Sequence, residues 1–297
     1  MSSKVVLACE VCRRCAVFAV SAVSGMDREM SDMAAEASGL AAAQPLRQRL
    51  GEQVAELLLA AIRLHEFLPE ERLPSEAELC AQLGVNRMAV REGLHWLEDH
   101  EYIRMQRGRY GGAFVLDPGL DLAVQRVRGQ IANLSQLFEY RAAVEPLAAS
   151  LAASRIEESE LSRLDRLHDE ELRKPSVARG RFRAIDVAIH RIVAGACRND
   201  YLIAAVREIR VSLAPGLDLL GPSAHRRQES VDCHGELIGC LRRHDGAGAE
   251  AAMRSHIAVT ERAITSVLRT QRVEVAARRS PRRARSVPGG PGRRELG

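Results

Sequence analysis

The chain has 297 residues, which is long enough for two domains with sizeable hydrophobic cores. Only 3% of its residues are aromatic, while 46% are hydrophobic and 28% are charged, a balance that favours a mainly α fold over a sheet-rich one. The formal net charge of +4 comes from residues 273–297, where seven arginines face two glutamates. The rest of the chain is therefore nearly neutral and cannot bind nucleic acid through bulk charge alone.

The cysteines and the apolar runs indicate the cellular compartment. The seven cysteines are an odd number and most lie in helical patterns, which predicts reduced thiols in a cytoplasmic protein. Cys9, Cys12 and Cys15 have helical spacing but lack a fourth partner, so they do not predict a metal site. No apolar run reaches the ~18 residues that a membrane helix needs, and no membrane partner is expected.

Residues 1–44 differ in pattern from the rest of the chain. An apolar run near the start is interrupted by Glu10, which argues against a signal peptide. Met26, Met30 and Met33 lie just before the structured pattern begins. We expect this segment to be a disordered extension or to lie upstream of the true start codon.

The stretch LPSEAELCAQLGVNRMAVREGLHWL has the pattern of two helices joined by a tight turn. Ser75 and Glu78 form a capping box, which predicts a helix over Glu76–Leu83. Gly84 supplies the left-handed turn that ends this helix. Asn86 then caps a second helix whose apolar positions keep a period of 3.6 residues.

Flanking segments complete a domain over residues 45–117. An amphipathic helix is expected over Leu46–Phe67, ahead of the two-helix pattern. After that pattern, the short extended runs YIRMQR and AFVL surround Gly108, Gly111 and Gly112, which predicts a β-hairpin. The sequence therefore predicts a winged helix-turn-helix with a small β-hairpin.

These residues resemble the GntR family of bacterial transcription regulators. LPSE, GVNR, AVRE and the Gly-rich hairpin occur in that family's order and spacing over about forty residues. Asn86 stands where Ser or Thr is usual, Met88 replaces a Thr, Ala77 stands where many members have an Arg, and Gly93 replaces an Ala. The resemblance implies a domain that binds double-stranded DNA, while the change at Ala77 leaves the operator sequence open.

Chemistry and resemblance both point to the start of the second helix as the DNA-reading element. Arg87 and Arg91 are one turn apart, and arginine can bond guanine O6 and N7 with two hydrogen bonds in the major groove. The alternative is that these arginines form an ordinary solvated helix face. The DNA contacts that the resemblance implies are Asn86, Arg87, Met88, Arg91, Arg107 and Gly108.

After a linker at Asp117–Gly119, residues 120–271 show only helical periodicities. Breakers between the segments, Pro215 among them, predict a bundle of six or seven antiparallel helices. This second domain is expected to hold the effector site and the dimer contacts. Residues 272–297, rich in Arg, Pro, Gly and Ser, are expected to be a disordered basic tail.

Within the second domain, one carboxylate and three imidazoles form a candidate metal site. Asp186 and His190 are four apart in FRAIDVAIH and so share a helical face, while His234 and His256 lie on later helices. Neutral imidazole with one carboxylate suits a divalent metal, with zinc first and nickel, manganese or iron as alternatives. Each histidine taken alone is more typical of an ordinary core or surface residue.

The same residues resemble the effector domain of the FadR branch of GntR regulators. That domain's pattern is matched in order and spacing by Phe182, Asp186, His190, His234 and His256. The resemblance implies a metal-bound small organic acid as effector.

The branch also has an Arg-x-x-x-Glu on an early helix, here Arg141 and Glu145. Arg141 could clamp the effector carboxylate with two parallel hydrogen bonds, or it could simply pair with Glu145.

The expected protein is therefore a homodimeric regulator, not an enzyme. We expect it to bind a two-fold symmetric operator and to act as a repressor. Binding of the effector and binding of DNA would each weaken the other by the same factor. Two alternatives are a regulator that responds to the metal itself and a metal-dependent enzyme at the Asp/His site.

Overall fold

The structure is a computed structural model that describes residues 46–128, 131–173, 179–221 and 223–279. Ten helices and one antiparallel hairpin make up this part of the chain, so the mainly α prediction is confirmed. In chain order they are α1 (Leu46–Arg63), α2 (Glu76–Leu83), α3 (Arg87–Asp99), β1 (Ile103–Gln106), β2 (Gly112–Val115), α4 (Leu120–Arg128), α5 (Ile131–Ala153), α6 (Glu158–Arg173), α7 (Arg179–Ala196), α8 (Asp200–Asp218), α9 (Ala224–Arg242) and α10 (Gly246–Arg279).

The start and end of α2 follow from local capping. The Ser75 side chain accepts a hydrogen bond from the Glu78 backbone, and the Glu78 carboxylate accepts one from the Ser75 backbone. Gly84 ends the helix with φ of 68°, a left-handed conformation that favours glycine. Asn86 caps α3 by accepting a hydrogen bond from the Ala89 N–H at 2.9 Å. The helix-turn-helix is therefore placed as its sequence predicts.

The wing packs against the segment that precedes α2. In the hairpin, Ile103 pairs with Val115 and Gln106 with Gly112. An isolated antiparallel bridge between Arg72 and Phe114 attaches the preceding segment to the hairpin, a contact that the sequence did not predict. This packing encloses a hydrophobic core that includes Val54, Leu79, Val90, Leu97, Ile103 and Val115.

Helix α1 ends earlier than its apolar pattern predicts. It stops at Arg63 instead of continuing to Phe67, because His65 adopts a left-handed backbone with φ of 52°. Pro215 differs in the opposite way, since it lies inside α8 and does not separate two helices. His65 and Pro215 both line one cavity, together with residues of the linker.

Seven helices, α4 to α10, form the second domain among the described residues. Its main core contains Ala148, Leu164, Ile189, Leu237 and Met253. Among the residues that the structure describes, no helix combines the length and apolarity needed to cross a membrane. Helix α10 continues to Arg279, so residues 272–279, expected in the disordered tail, are helical. The predictions for residues 1–44 and for the remainder of the tail fall outside the described residues.

The two domains meet at the linker through arginines of the helical domain. The Arg126 guanidinium lies 3.8 Å from the centroid of the Tyr102 ring and donates to the His100 carbonyl. Arg179, at the start of α7, pairs with Asp117 and donates to the Pro118 carbonyl at 3.1 Å. The first turn of α7 is thereby attached to the linker.

His65 lies at this junction with its pKa lowered from 6.5 to about 4. Burial lowers the pKa most, the positive charges of Arg183 and Arg210 lower it further, and Asp186 and Asp117 raise it by less. The folded protein therefore keeps this imidazole neutral, while the unfolded chain protonates near pH 6.5. Stability is lost as the pH falls from 6.5 towards 4.

We predict that His65→Asn makes the free energy of unfolding less dependent on pH in this window. Asparagine tolerates the left-handed backbone at this position but does not titrate. Urea unfolding at pH 7 and pH 5 measures the difference, with His225→Asn, at an exposed position, as the control. An equal pH dependence in wild type and His65→Asn would show that His65 does not contribute.

Candidate metal centre and nucleic-acid interface

The four predicted metal ligands meet inside the helical domain. Asp186 and His190 project from α7, His234 from α9 and His256 from α10. One ligand atom from each lies within 4.8 Å of the others. The three histidines are fully buried and Asp186 is nearly so. Folding thus brings together residues that are 70 positions apart in the sequence.

The ligand atoms face a common point. The Oδ1 atom of Asp186 lies 3.3 Å from Nε2 of His256, 3.5 Å from Nε2 of His234 and 3.8 Å from Nε2 of His190. Within the described part of the chain, none of these three Nε2 atoms has a hydrogen-bond partner of normal geometry. Buried polar atoms are seldom left unpaired, and three imidazoles with one carboxylate form a donor set for a divalent ion. The residues present therefore fit a metal.

A second layer of charged residues surrounds the ligands. Glu145 on α5 lies 2.5 Å from Nδ1 of His190, and Glu171 on α6 lies 3.0 Å from Nδ1 of His234. Arg210 on α8 pairs with the Oδ2 atom of Asp186. Each of the helices α5 to α10 thus contributes a ligand or a residue that contacts one.

Sequence reasoning missed Glu171 and Arg210. Both occupy positions where the apolar period of their helix calls for a buried side chain. Glu171 follows Leu161 and Leu164 on α6, and Arg210 lies between Val206 and Leu213 on α8. A charged residue at the helical spacing of the buried apolar residues is the signal that could have identified them.

Ion pairing keeps the acidic residues of the cluster negatively charged. Burial alone raises the pKa of Asp186, but Arg210 and the contacts with His234 and His256 bring it well below its usual range. The pKa of Glu145 is likewise raised by burial and lowered by more through Arg141 and His190. The cluster therefore holds ionised carboxylates in the core, a favourable environment for a cation.

The histidines of the cluster differ in protonation. Burial lowers the pKa of His234, but Asp186 and Glu171 raise it by more, to about 9. The pKa of His256 falls to about 3, first through burial and then through repulsion by His234.

Arg141 is completely buried beside the cluster. Its Nε donates to Oε1 of Glu145 at 2.8 Å, so the ion pair considered from the sequence is present. Its Nη1 and Nη2 atoms, and the Nε and Nη1 atoms of Arg210, have no partner among the described residues. Four buried guanidinium nitrogens are thus left without an acceptor, which is costly unless an anion binds there.

The predicted DNA-reading residues lie at the exposed start of α3. Arg87 is exposed and so is Met88, at 53% of its full surface. The Oδ1 atom of Asn86 accepts the hydrogen bond that caps α3. Arg91 pairs with Glu76 of α2 at 2.9 Å. Sequence reasoning missed this ion pair, which connects the two helices of the motif and orients the guanidinium.

The wing presents a second exposed surface. Arg107 is exposed and Gly108 has φ of 107°, a conformation that favours glycine. A Cβ atom at Gly111 would lie 2.3 Å from the Gln106 carbonyl oxygen, so the tight turn requires a glycine there. Tyr110 at the tip is 77% exposed, with the Arg109 guanidinium 5.8 Å from its ring centroid. Sequence reasoning did not select Tyr110.

Family models match both parts of the chain. The model described as bacterial regulatory proteins, gntR family, matches residues 50–115, and the FCD domain model matches residues 136–259. The first covers the winged helix-turn-helix and the second covers all four metal-ligand candidates. The chain belongs to the GntR family. It is a DNA-binding transcriptional regulator with an FCD effector domain, and not an enzyme.

Two proteins named as transcriptional regulators and one solved structure are similar to this chain. The HTH-type transcriptional repressor NanR of Edwardsiella tarda is 28% identical over 231 residues, covering 71% of this chain and 84% of that protein. The Uxu operon transcriptional regulator of Escherichia coli is 26% identical over 228 residues, covering 72% and 85%. A solved structure of Streptococcus agalactiae GntR is 25% identical, covers 71% of this chain and 99% of that one, and has a TM-score of 0.38.

The buried pair of Arg141 and Glu145 in this GntR-family regulator predicts a large stability effect. Glu145→Gln leaves the Arg141 charge in the core without its partner, which should cost about 3–5 kcal/mol in the free energy of unfolding. Glu250→Gln, which breaks an exposed pair with Arg254, should cost less than about 1 kcal/mol. Urea unfolding of both variants makes the comparison, and equal costs would contradict a buried position of the Arg141–Glu145 pair.

Proposed function

We propose that this GntR-family protein is a repressor controlled by a small carboxylic acid. The acid binds at a divalent metal in the helical domain and weakens binding of the operator. The observation that carries the proposal is the juxtaposition, in one buried region, of a four-ligand cluster with four guanidinium nitrogens that have no partner in the described part of the chain. A carboxylic acid could use such a pair of sites, because its oxygen atoms can coordinate a bound metal and accept hydrogen bonds from the guanidinium groups.

The metal would be held by Asp186 through Oδ1 and by His190, His234 and His256 through Nε2. Zinc suits this set best, while nickel, manganese and iron remain alternatives. When bound, the metal supplies a positive centre with open coordination positions for oxygen atoms of the effector. The nearby ion pairs fix the ligand side chains in place before binding.

The anion site would be formed by Arg141 and Arg210. Each guanidinium donates to one protein carboxylate and has two further buried nitrogens without a partner among the residues that the structure describes. Charge-assisted hydrogen bonds from arginine to a carboxylate are strong, and more so away from water. Arg141 therefore serves both as an ion-pair partner and as a clamp for the effector.

DNA binding is assigned to the exposed start of α3 and to the wing. Arg87 and Arg91 would read base edges in the major groove, with Asn86 and Met88 beside them. Arg107 and Gly108 of the wing would contact the adjacent backbone or minor groove. The relatives named as a repressor and as an operon regulator support this assignment.

A cytoplasmic homodimer on a two-fold symmetric operator completes the proposal. Two apolar side chains of the helical domain, Tyr140 and Leu147, are exposed at 40% and 48%. They are seven residues apart on α5 and thus share one face, as expected of a surface that meets a second copy. Paired subunits would place one recognition helix on each half-site.

Helix α7 connects the effector site with the linker. Its middle turns carry Asp186 and His190, and its first two turns carry Arg179 and Arg183. Arg179 bonds to Asp117 and Pro118 of the linker, while Arg183 pairs with Asp218 of α8. A shift of α7 on effector binding would therefore move the residues that hold the DNA-binding domain. Effector and DNA would weaken each other's binding by the same factor.

We predict about one divalent metal ion per chain in protein purified without chelator. His190→Ala and His234→Ala each remove a ligand and should lose the ion, as measured by elemental analysis. His225→Ala, at an exposed position, is the matched control and should keep it. A metal-free wild-type protein would overturn the metal part of the proposal.

A thermal-shift screen of small organic acids, with and without chelator, identifies the effector of the loaded protein. Titration of metal at fixed acid, and of acid at fixed metal, distinguishes the acid-responsive regulator from one that responds to the metal alone.

We predict that replacing both Arg87 and Arg91 by Ala strongly weakens specific operator binding. Each lost contact with guanine costs roughly 1–3 kcal/mol, so the two together weaken binding by at least ~30-fold. The operator is first selected from random duplexes with the wild-type protein, and mobility-shift titrations then compare the variants.

The control for the DNA experiment is Arg173→Ala. It removes an equally positive, exposed side chain from α6, away from α3, and should leave operator affinity within about twofold. Specific binding that survives in the double variant would refute the role of α3 as the recognition helix.

A further inference from the structure

Glu171 is a buried acidic side chain on a helix that contributes no metal ligand. It is 2% exposed and lies near the end of α6, in phase with Leu161 and Leu164 on the buried face of that helix. A carboxylate in such a position destabilises the fold unless it is well paired. The residues that contact the Glu171 carboxylate therefore indicate its role.

Both carboxylate oxygens of Glu171 point at one metal-ligand candidate. Oε2 lies 3.0 Å and Oε1 3.2 Å from Nδ1 of His234. The carboxylate can only accept, so Nδ1 of His234 must carry the proton in this hydrogen bond. A cation can therefore be coordinated only through Nε2 of this ring, the nitrogen that faces Oδ1 of Asp186 at 3.5 Å.

The other two imidazoles of the cluster are held differently. Among the described residues, Nδ1 of His256 has no hydrogen-bond partner. Nδ1 of His190 lies against Glu145, but Glu145 is also bonded to Arg141. His234 is thus the ligand candidate whose second nitrogen forms a hydrogen bond of normal geometry with a carboxylate.

A further histidine, His168, contacts Glu171 on the side that faces the surface of the domain. Nδ1 of His168, which is 20% exposed, lies 3.5 Å from Oε2 of Glu171. A Cβ atom at Gly235 would lie 3.0 Å from Nε2 of His168, so a glycine at this position leaves room for that ring. The order His168, Glu171, His234 leads from the surface of the domain to the metal cluster.

We propose that Glu171 is a positioning residue that sets the metal affinity of this site. It acts through His234, by fixing the ring orientation and keeping the proton on Nδ1 so that Nε2 is free to coordinate. A carboxylate partner also makes the imidazole a stronger donor to a cation. The inference rests on the proposed function, because it requires that the cluster binds a divalent metal.

The test measures the dissociation constant of Zn²⁺ by competition with a chromophoric chelator. Glu171→Gln keeps the size of the side chain and removes its charge, and should weaken Zn²⁺ binding 10- to 100-fold. Glu171→Asp withdraws the carboxylate by one methylene and should give an intermediate loss. This second variant keeps the test decisive if Glu171→Gln fails to fold.

Asp169→Asn is the matched control for the loss of one negative charge. Asp169 lies on the same helix two residues away, in an exposed pair with Arg173 at 2.7 Å. Its replacement should leave the Zn²⁺ dissociation constant within about threefold, because exposed charges are screened by solvent.

A spectroscopic readout separates positioning from a general structural role. In the Zn²⁺-loaded protein labelled with ¹⁵N-histidine, the ring of His234 should show coordination at Nε2 and a proton at Nδ1. That proton should shift upfield in Glu171→Gln, while the rings of His190 and His256 keep their wild-type signals.

The outcomes distinguish the inference from the proposed function. Wild-type protein that binds no Zn²⁺ or other divalent metal overturns both. Wild-type protein that binds Zn²⁺, with Glu171→Gln within threefold of it, overturns the role of Glu171 alone. A selective loss in Glu171→Gln, with unchanged Asp169→Asn, supports both.

Discussion

The ion pair between Arg210 and Asp186 is the contact on which the interior of the helical domain depends. One carboxylate oxygen of Asp186 is used by Arg210, and the other faces three imidazoles. An ionised carboxylate away from water is stable only when such partners surround it. The neighbouring charges follow the same requirement, since Arg141 is paired with Glu145 and His234 with Glu171. The result is a polar centre inside an otherwise apolar bundle.

That centre is joined to the DNA-binding domain by one rigid element. Helix α7 places Asp186 and His190 in the interior and Arg179 against Asp117 of the linker. A helix transmits a displacement along its axis because its backbone hydrogen bonds hold the turns together. Effector control of the regulator can therefore use the packing of α7, without a long chain of separate contacts.

The DNA-binding domain is already organised in the free subunit. Asn86 caps α3, and Arg91 is held by Glu76 of the preceding helix. Fixing these side chains before binding reduces the conformational entropy lost when DNA is bound. Arg87 and the wing residues stay exposed, and in the proposed complex they would provide the surface that meets the duplex.

The sequence by itself determined the features that depend on near neighbours. The capping box at Ser75 and the turn at Gly84 are local, so the limits of α2 could be read directly. The spacing of Asp186 and His190 placed both on one helical face. The sequence also proposed His234 and His256 as their partners, a choice that the resemblance to a family supported. Only the tertiary structure decided the roles of Glu171 and Arg210, the early end of α1 at His65 and the ion pair of Arg91 with Glu76. Each of these depends on a contact between segments distant in the chain, and no local period or cap encodes which distant residue will face a buried charge.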